Sequence, residues 1–81
     1  MQITVKCFAL ARQLVGDESV VVDLKEGATV DDLKKHLAQL FPQMDRVLNS
    51  SMMAVDGDYV KGDHLLSSDH EVACIPPVSG G

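Results

Sequence analysis

The stretch from Thr29 to Pro42 constrains the fold of this chain more than any other. Thr29 is placed to cap a helix, and Asp32 stands three residues on, in a capping-box position. Asp31 and Asp32 fall in the first turn, where the helix dipole favours anions. Val30, Leu33, Leu37 and Leu40 form an apolar stripe at helical spacing. Asp31 and Lys35 are an i,i+4 pair on the outer side. Phe41-Pro42 ends the helix, because a residue before proline is pushed out of the α region. This pattern predicts one good helix with a single face to bury.

Strands are expected on both sides of it. Residues 2–8 alternate, with Ile3, Val5 and Cys7 on one face. Residues 9–15 read as a short helix with Leu10 and Leu14 on one side, capped by Gly16. Residues 19–24 form a Val-rich strand with Val20, Val22 and Leu24 together, broken at Glu26-Gly27. Residues 43–50 read as irregular, with one turn around Met44 and Leu48. Met52-Met53-Ala54-Val55 is a third strand, and Asp56-Gly57-Asp58 a tight hairpin turn. Tyr59-Val60-Lys61 returns, Gly62-Asp63 turns again, and Leu65-Leu66 makes a brief apolar contact. Ser67-Ser68-Asp69-His70 is a polar turn before a last strand, residues 71–75. The expected fold is α+β: a mixed four- to five-stranded sheet, one main helix across one face, and a short helix after the first strand. A helical crossover between strands two and three suits a mixed sheet. The ubiquitin-like β-grasp is the small architecture with this order, and it sets the last strand centrally beside the first.

Eighty-one residues make one domain with one small core. We divide them into a body, residues 1–75, and a C-terminal tail, residues 76–81. With Phe8, Phe41 and Tyr59 as the aromatics, the core must come from Val, Leu, Ile, Met and Ala. No apolar run approaches the ~20 residues needed to span a bilayer. Met1-Gln2-Ile3-Thr4 has neither a basic region nor a cleavable apolar stretch, so a cytoplasmic location is expected. The net charge of −5 argues against nucleic acid, which needs clustered Lys and Arg, and suits docking on a more basic protein.

The tail is where chemistry is expected. Ile75-Pro76-Pro77-Val78-Ser79-Gly80-Gly81 couples a rigid Pro-Pro step to two residues without side chains. Such a thread can enter a channel too narrow for side chains and deliver a carboxylate. A carboxylate becomes an electrophile only after activation, for example as an acyl-adenylate. The chain has no GxxxxGK[ST], GxGxxG or GxSxG, so activation is expected in trans, with ATP used by another enzyme. His36, His64 and His70 match no zinc spacing and Cys7 and Cys74 form no CxxC, so no metal site is expected. Asp56, Asp58 and Asp63 read as turn residues. Cys7 and Cys74 sit in apolar strand patterns and are expected as reduced, buried, slow-reacting thiols.

Phe8-Ala9-Leu10-Ala11-Arg12-Gln13-Leu14-Val15-Gly16 resembles the F-A-x-x-R-E-L-x-G signature of molybdopterin synthase small subunits, the MoaD-type sulfur carriers. The ending is similar to that family's hydrophobic-P-P-V-[ST]-G-G. Gln13 stands where Glu is usual, Ser68-Asp69-His70-Glu71 replaces a D-G-D-E turn, and Cys74 stands where an aromatic or aliphatic residue is common. The resemblance implies that an E1-like enzyme adenylates Gly81, that a persulfide converts it to a thiocarboxylate, and that its sulfur attacks cyclic pyranopterin monophosphate bound by a large subunit. It implies a heterotetramer of two small and two large subunits, with no cofactor held by this chain. Gly80 would permit close approach, with Pro76, Pro77, Val78 and Ser79 as the stem. Phe8, Ile75 and Leu65 would form the docking face. Arg12 would contact the activating enzyme, or else pair with Asp17 or Glu18. A thiamine-pathway sulfur carrier, a ubiquitin-like modifier and a plain interaction module are the alternative readings.

Overall fold

Strict alternation in β1 (Gln2–Cys7) buries Ile3, Val5 and Cys7 and leaves Gln2, Thr4 and Lys6 in solvent. In β5 (Glu71–Ile75) the same period buries Val72 and Cys74. The two strands lie side by side in parallel, with Cys7 level with Cys74. β2 (Ser19–Asp23) pairs antiparallel with the outer side of β1, and β3 (Met52–Val55) with the other side of β5. β4 (Asp58–Val60) closes the far edge, giving a mixed five-stranded sheet in the order β2-β1-β5-β3-β4. This is the ubiquitin-like β-grasp with its last strand at the centre. The computed structural model describes residues 1–77.

α2 (Val30–Leu40) crosses one face and buries Val30, Leu33 and Leu37. Its capping box is complete: Thr29 N–H donates to the Asp32 carboxylate at 2.9 Å, and Asp32 N–H donates to Thr29 Oγ1 at 3.3 Å. The Val30 and Asp31 N–H groups find the carbonyls of His64 and Gly62 at 3.0 and 2.9 Å. The head of the helix is thereby satisfied by the β4–β5 connection. A Cβ at Gly62 would meet the Asp31 carboxylate, the end of an exposed side chain that can swing aside. Thr29 also bridges to Leu65. The turns expected around 62–66 are thus tied to the helix.

Four expectations are corrected. Leu40 is 51 % exposed and outside the core. Phe41 leaves helical geometry before Pro42, and the chain folds back through a 3-10 turn (Pro42–Met44) into α3 (Asp45–Ser50). Met44 and Leu48 then join the core in place of Leu40. The segment 43–50 is accordingly helical, although it carries no capping side chain to announce it. In α1 (Ala9–Val15) the buried residue is Ala11, flanked by partly buried Leu14 and Val15, whereas Leu10 is 46 % exposed. A small side chain at position 11 lets the short helix pack close. The hairpin turn is tighter than expected: Asp56 and Gly57 (φ 50° and 88°) form a two-residue turn between Val55 and Asp58, so Asp58 belongs to the strand.

Candidate functional site: the root of the tail and the open sheet face

The tail leaves from β5, flanked on both sides by other strands. Ile75, its last residue, is paired with Met52, and the Cys74 carbonyl accepts the Phe8 N–H at 3.3 Å. Pro76 is buried, so packing of the body continues one residue past the strand, and Pro77 is exposed. Val78, Ser79, Gly80 and Gly81, on which the expected chemistry rests, lie outside the described residues.

The sheet has one face covered by helices and one open. Lys6 and Phe8 on the β1 side, Ala73 and Ile75 on β5, Ala54 on β3 and Tyr59 on β4 line a shallow depression on the open face. Phe8 is 46 % exposed and Tyr59 64 %. Met52, beside Ile75 in the register, is also exposed. Lys6 and Glu71 form an ion pair within this patch. The hydrogen bond and charge of Glu71 raise the Lys6 ammonium above its ordinary pKa. Glu71 is held in turn by its N–H, which donates to Asp56 Oδ1 at 2.8 Å.

Phe8 and Ile75 are brought together in this depression. Leu65 is exposed, but it lies against Thr29 at the head of α2 and does not line this depression. Arg12 pairs with Glu18, Nη2 to Oε1 at 2.9 Å, while Asp17 accepts the Glu18 N–H at 2.7 Å. Both partners of the Arg12 pair are mostly exposed, so it contributes little to stability. Ala54, Ala73, Met52 and Tyr59 were not singled out from the sequence. Their signal was present as apolar residues at outward strand positions, but only the register places them beside Phe8 and Ile75.

Cys7 and Cys74 are both free and buried, on neighbouring strands. Burial pushes both thiols up, and for Cys74 a hydrogen bond with Ser51 acts in the opposite direction. They face the core and not the tail root. Among the described residues no group of three or more His, Cys, Asp or Glu side chains is arranged to hold a metal. The His64 and His70 rings are 6.3 Å apart, and His70 Nδ1 accepts the Ser67 N–H at 3.2 Å, a turn-closing contact. No helix of the described chain is long and apolar enough to cross a membrane.

A β-grasp body whose last strand, flanked on both sides, runs into the C-terminal segment defines the ubiquitin-like class of proteins. The chain belongs to the ThiS family, whose model matches residues 5–81. Within that class of ubiquitin-like sulfur carriers it is similar to molybdopterin synthase sulfur carrier subunits. That of Dictyostelium discoideum is 34 % identical over 99 % of this chain and 96 % of its own. That of Escherichia coli is 36 % identical over 98 % of this chain and 99 % of its own. Among solved structures, a putative molybdopterin converting factor subunit 1 from Pyrococcus furiosus superposes with a TM-score of 0.87 at 30 % identity, covering 96 % of this chain and 99 % of that one. SAMP1 from Haloferax volcanii superposes at 0.88 with 27 % identity, covering 100 % of both chains.

Proposed function

We propose that this chain is the sulfur carrier subunit of molybdopterin synthase and that Gly81 is its reacting residue. The observation that carries the reading is the full-length similarity to carriers of that name in a eukaryote and a bacterium. The tail root supports it, because a thread held at Pro76 by a strand with neighbours on both sides starts from a defined point. An E1-like enzyme uses ATP to adenylate the Gly81 carboxylate, releasing pyrophosphate. The outer sulfur of a persulfide then displaces AMP to give an acyl disulfide. A second thiol cleaves its S–S bond, leaving the thiocarboxylate on Gly81 and a disulfide on the sulfur donor. The carrier docks on the large subunit through the open face around Phe8 and Ile75 and inserts Val78, Ser79, Gly80 and Gly81. The thiocarboxylate sulfur attacks the cyclic pyranopterin monophosphate. Water hydrolyses the resulting thioester, so that Gly81 returns as a carboxylate and the sulfur stays on the pterin, and two such transfers build the dithiolene. Acid–base groups and the pterin site belong to the large subunit, in a complex of two copies of each, in the cytoplasm. The gain from holding the tail in a channel is orientation, up to ~7–11 kcal/mol of the barrier.

Intact-mass analysis after incubation with ATP, the activating enzyme and a sulfur donor tests this. One oxygen replaced by sulfur is expected, and deletion of Gly81 should abolish both that shift and molybdopterin formation. Gly80→Val should be nearly as damaging, since a branched side chain blocks a narrow channel. Molybdopterin synthesis by the Gly81-deleted protein would refute the reading. The likeness to SAMP1, a small archaeal modifier by name, motivates a second reading, conjugation to other proteins. Stable ladders of covalent adducts in lysate with ATP would favour it.

A further inference from the structure

The two edges of the sheet are built differently. β4 is three residues long and ends at Lys61-Gly62. Short, charged edges resist pairing with other chains. β2 is five residues, Ser19-Val20-Val21-Val22-Asp23, with neither Lys nor Pro to blunt it. Its bonds to β1 continue past both ends: the Glu18 carbonyl accepts the Cys7 N–H at 2.8 Å, and the Leu24 N–H donates to Met1 at 2.9 Å. Antiparallel alternation then sends the backbone groups of Val20 and Val22 toward β1 and those of Ser19, Val21 and Asp23 outward. None of these outward groups has a backbone partner among the described residues. Val21 is 56 % exposed on the open face.

The segment reads the same way against itself. In an antiparallel pairing centred on Val21, Ser19 stands opposite Asp23 of a second copy, and Val20 opposite Val22. Beyond them Glu18, held by Arg12 of its own chain, stands opposite Leu24. Two residues out from Ser19 and Asp23, Asp17 stands opposite Lys25 at each end, an oppositely charged pair. Every outward N–H and C=O of Ser19, Val21 and Asp23 finds a partner in that register. A two-fold interface needs this kind of self-complementarity.

We propose that β2 is a pairing edge for a second copy of this chain, joined antiparallel about Val21 into one continuous sheet. The inference is independent of the sulfur-carrier reading. The dimer leaves the tail root and the depression around Phe8 and Ile75 uncovered. A single strand pair buries less than a standard interface, so association is expected at high micromolar concentration.

Sedimentation equilibrium of the full chain over a wide concentration range should show a monomer–dimer equilibrium. Val21→Pro removes an outward N–H that β1 does not use, and should give a folded monomer, checked by circular dichroism. Lys25→Asp, exposed and outside the strand, should weaken dimerisation about tenfold by opposing like charges at both ends. The double variant Asp17→Lys/Lys25→Asp should restore it. If Val21→Pro fails to fold, the charge pair decides alone. A chain that stays monomeric at the highest concentrations, or a dimer indifferent to both Val21→Pro and Lys25→Asp, would overturn the proposal.

Discussion

The two faces of this sheet share strands, and their residues alternate one by one, yet they do opposite work. On the covered face Ile3, Val5, Val72 and Cys74 meet Val30, Leu33 and Leu37 with almost no exposure. On the open face Phe8 and Met52 stay about half exposed and Tyr59 more so. The covered face is filled because folding requires it. The open face carries apolar groups that folding does not require, and a monomer gains little by displaying them side by side. Apolar residues left half exposed side by side point to a partner, and the root of the tail lies among them.

Variants on the two faces should therefore separate stability from binding. The largest effect is expected from Leu37→Ala, which should cost about 2–5 kcal/mol in urea unfolding. The same variant should speed thiol labelling of Cys7 and Cys74 at least about tenfold, because buried thiols react through opened states. A loss below about half a kilocalorie would remove Leu37 from the core and dissolve the contrast. Phe8→Asp should leave stability within about half a kilocalorie, yet weaken binding to a large synthase subunit by burying an unpaired charge. Equal affinity in a titration would move the docking surface elsewhere.

A smaller effect concerns the helix that covers the sheet. The Thr29 N–H and hydroxyl, with Lys35 adding slightly, hold the Asp32 carboxyl below its ordinary value. A folded pKa below the unfolded one means that stabilisation is present above the ordinary aspartate range and is lost as pH falls through the folded value. Asp32→Asn should flatten that acid limb of the stability curve, and an unchanged slope would contradict the capping box. The smallest effect is expected at Arg12→Ala. Its pair with Glu18 is exposed, so stability should change by about half a kilocalorie or less. A selective loss of activation by the E1-like enzyme in this variant would mark Arg12 as a contact residue.

Much of this was legible in the residues. β1 and β5 declared themselves by alternation, and α2 by its cap and stripe, because each feature is local. Leu40 was misleading because periodicity identifies a stripe without saying where the sheet beneath it ends. The segment 43–50 concealed a helix, since Met44 and Leu48 are only an i,i+4 pair without a capping side chain. The open face was half visible through Phe8 and Ile75. Leu65 was grouped with them, but the β4–β5 connection carries it to the head of α2.

The sequence by itself determined the order of the five strands with α1 and α2 among them, the inward residues of β1 and β5, the start of α2 and the composition of residues 76–81. These follow from backbone sterics, side-chain period and capping, which act over a few residues. Tertiary structure decided which distant residues became neighbours. Only the strand order and register set Met52 beside Ile75 and Cys7 beside Cys74, and left the outward groups of β2 without a strand to pair with. Such neighbours are chosen by burial of the whole inner face at once, and no local window contains that choice.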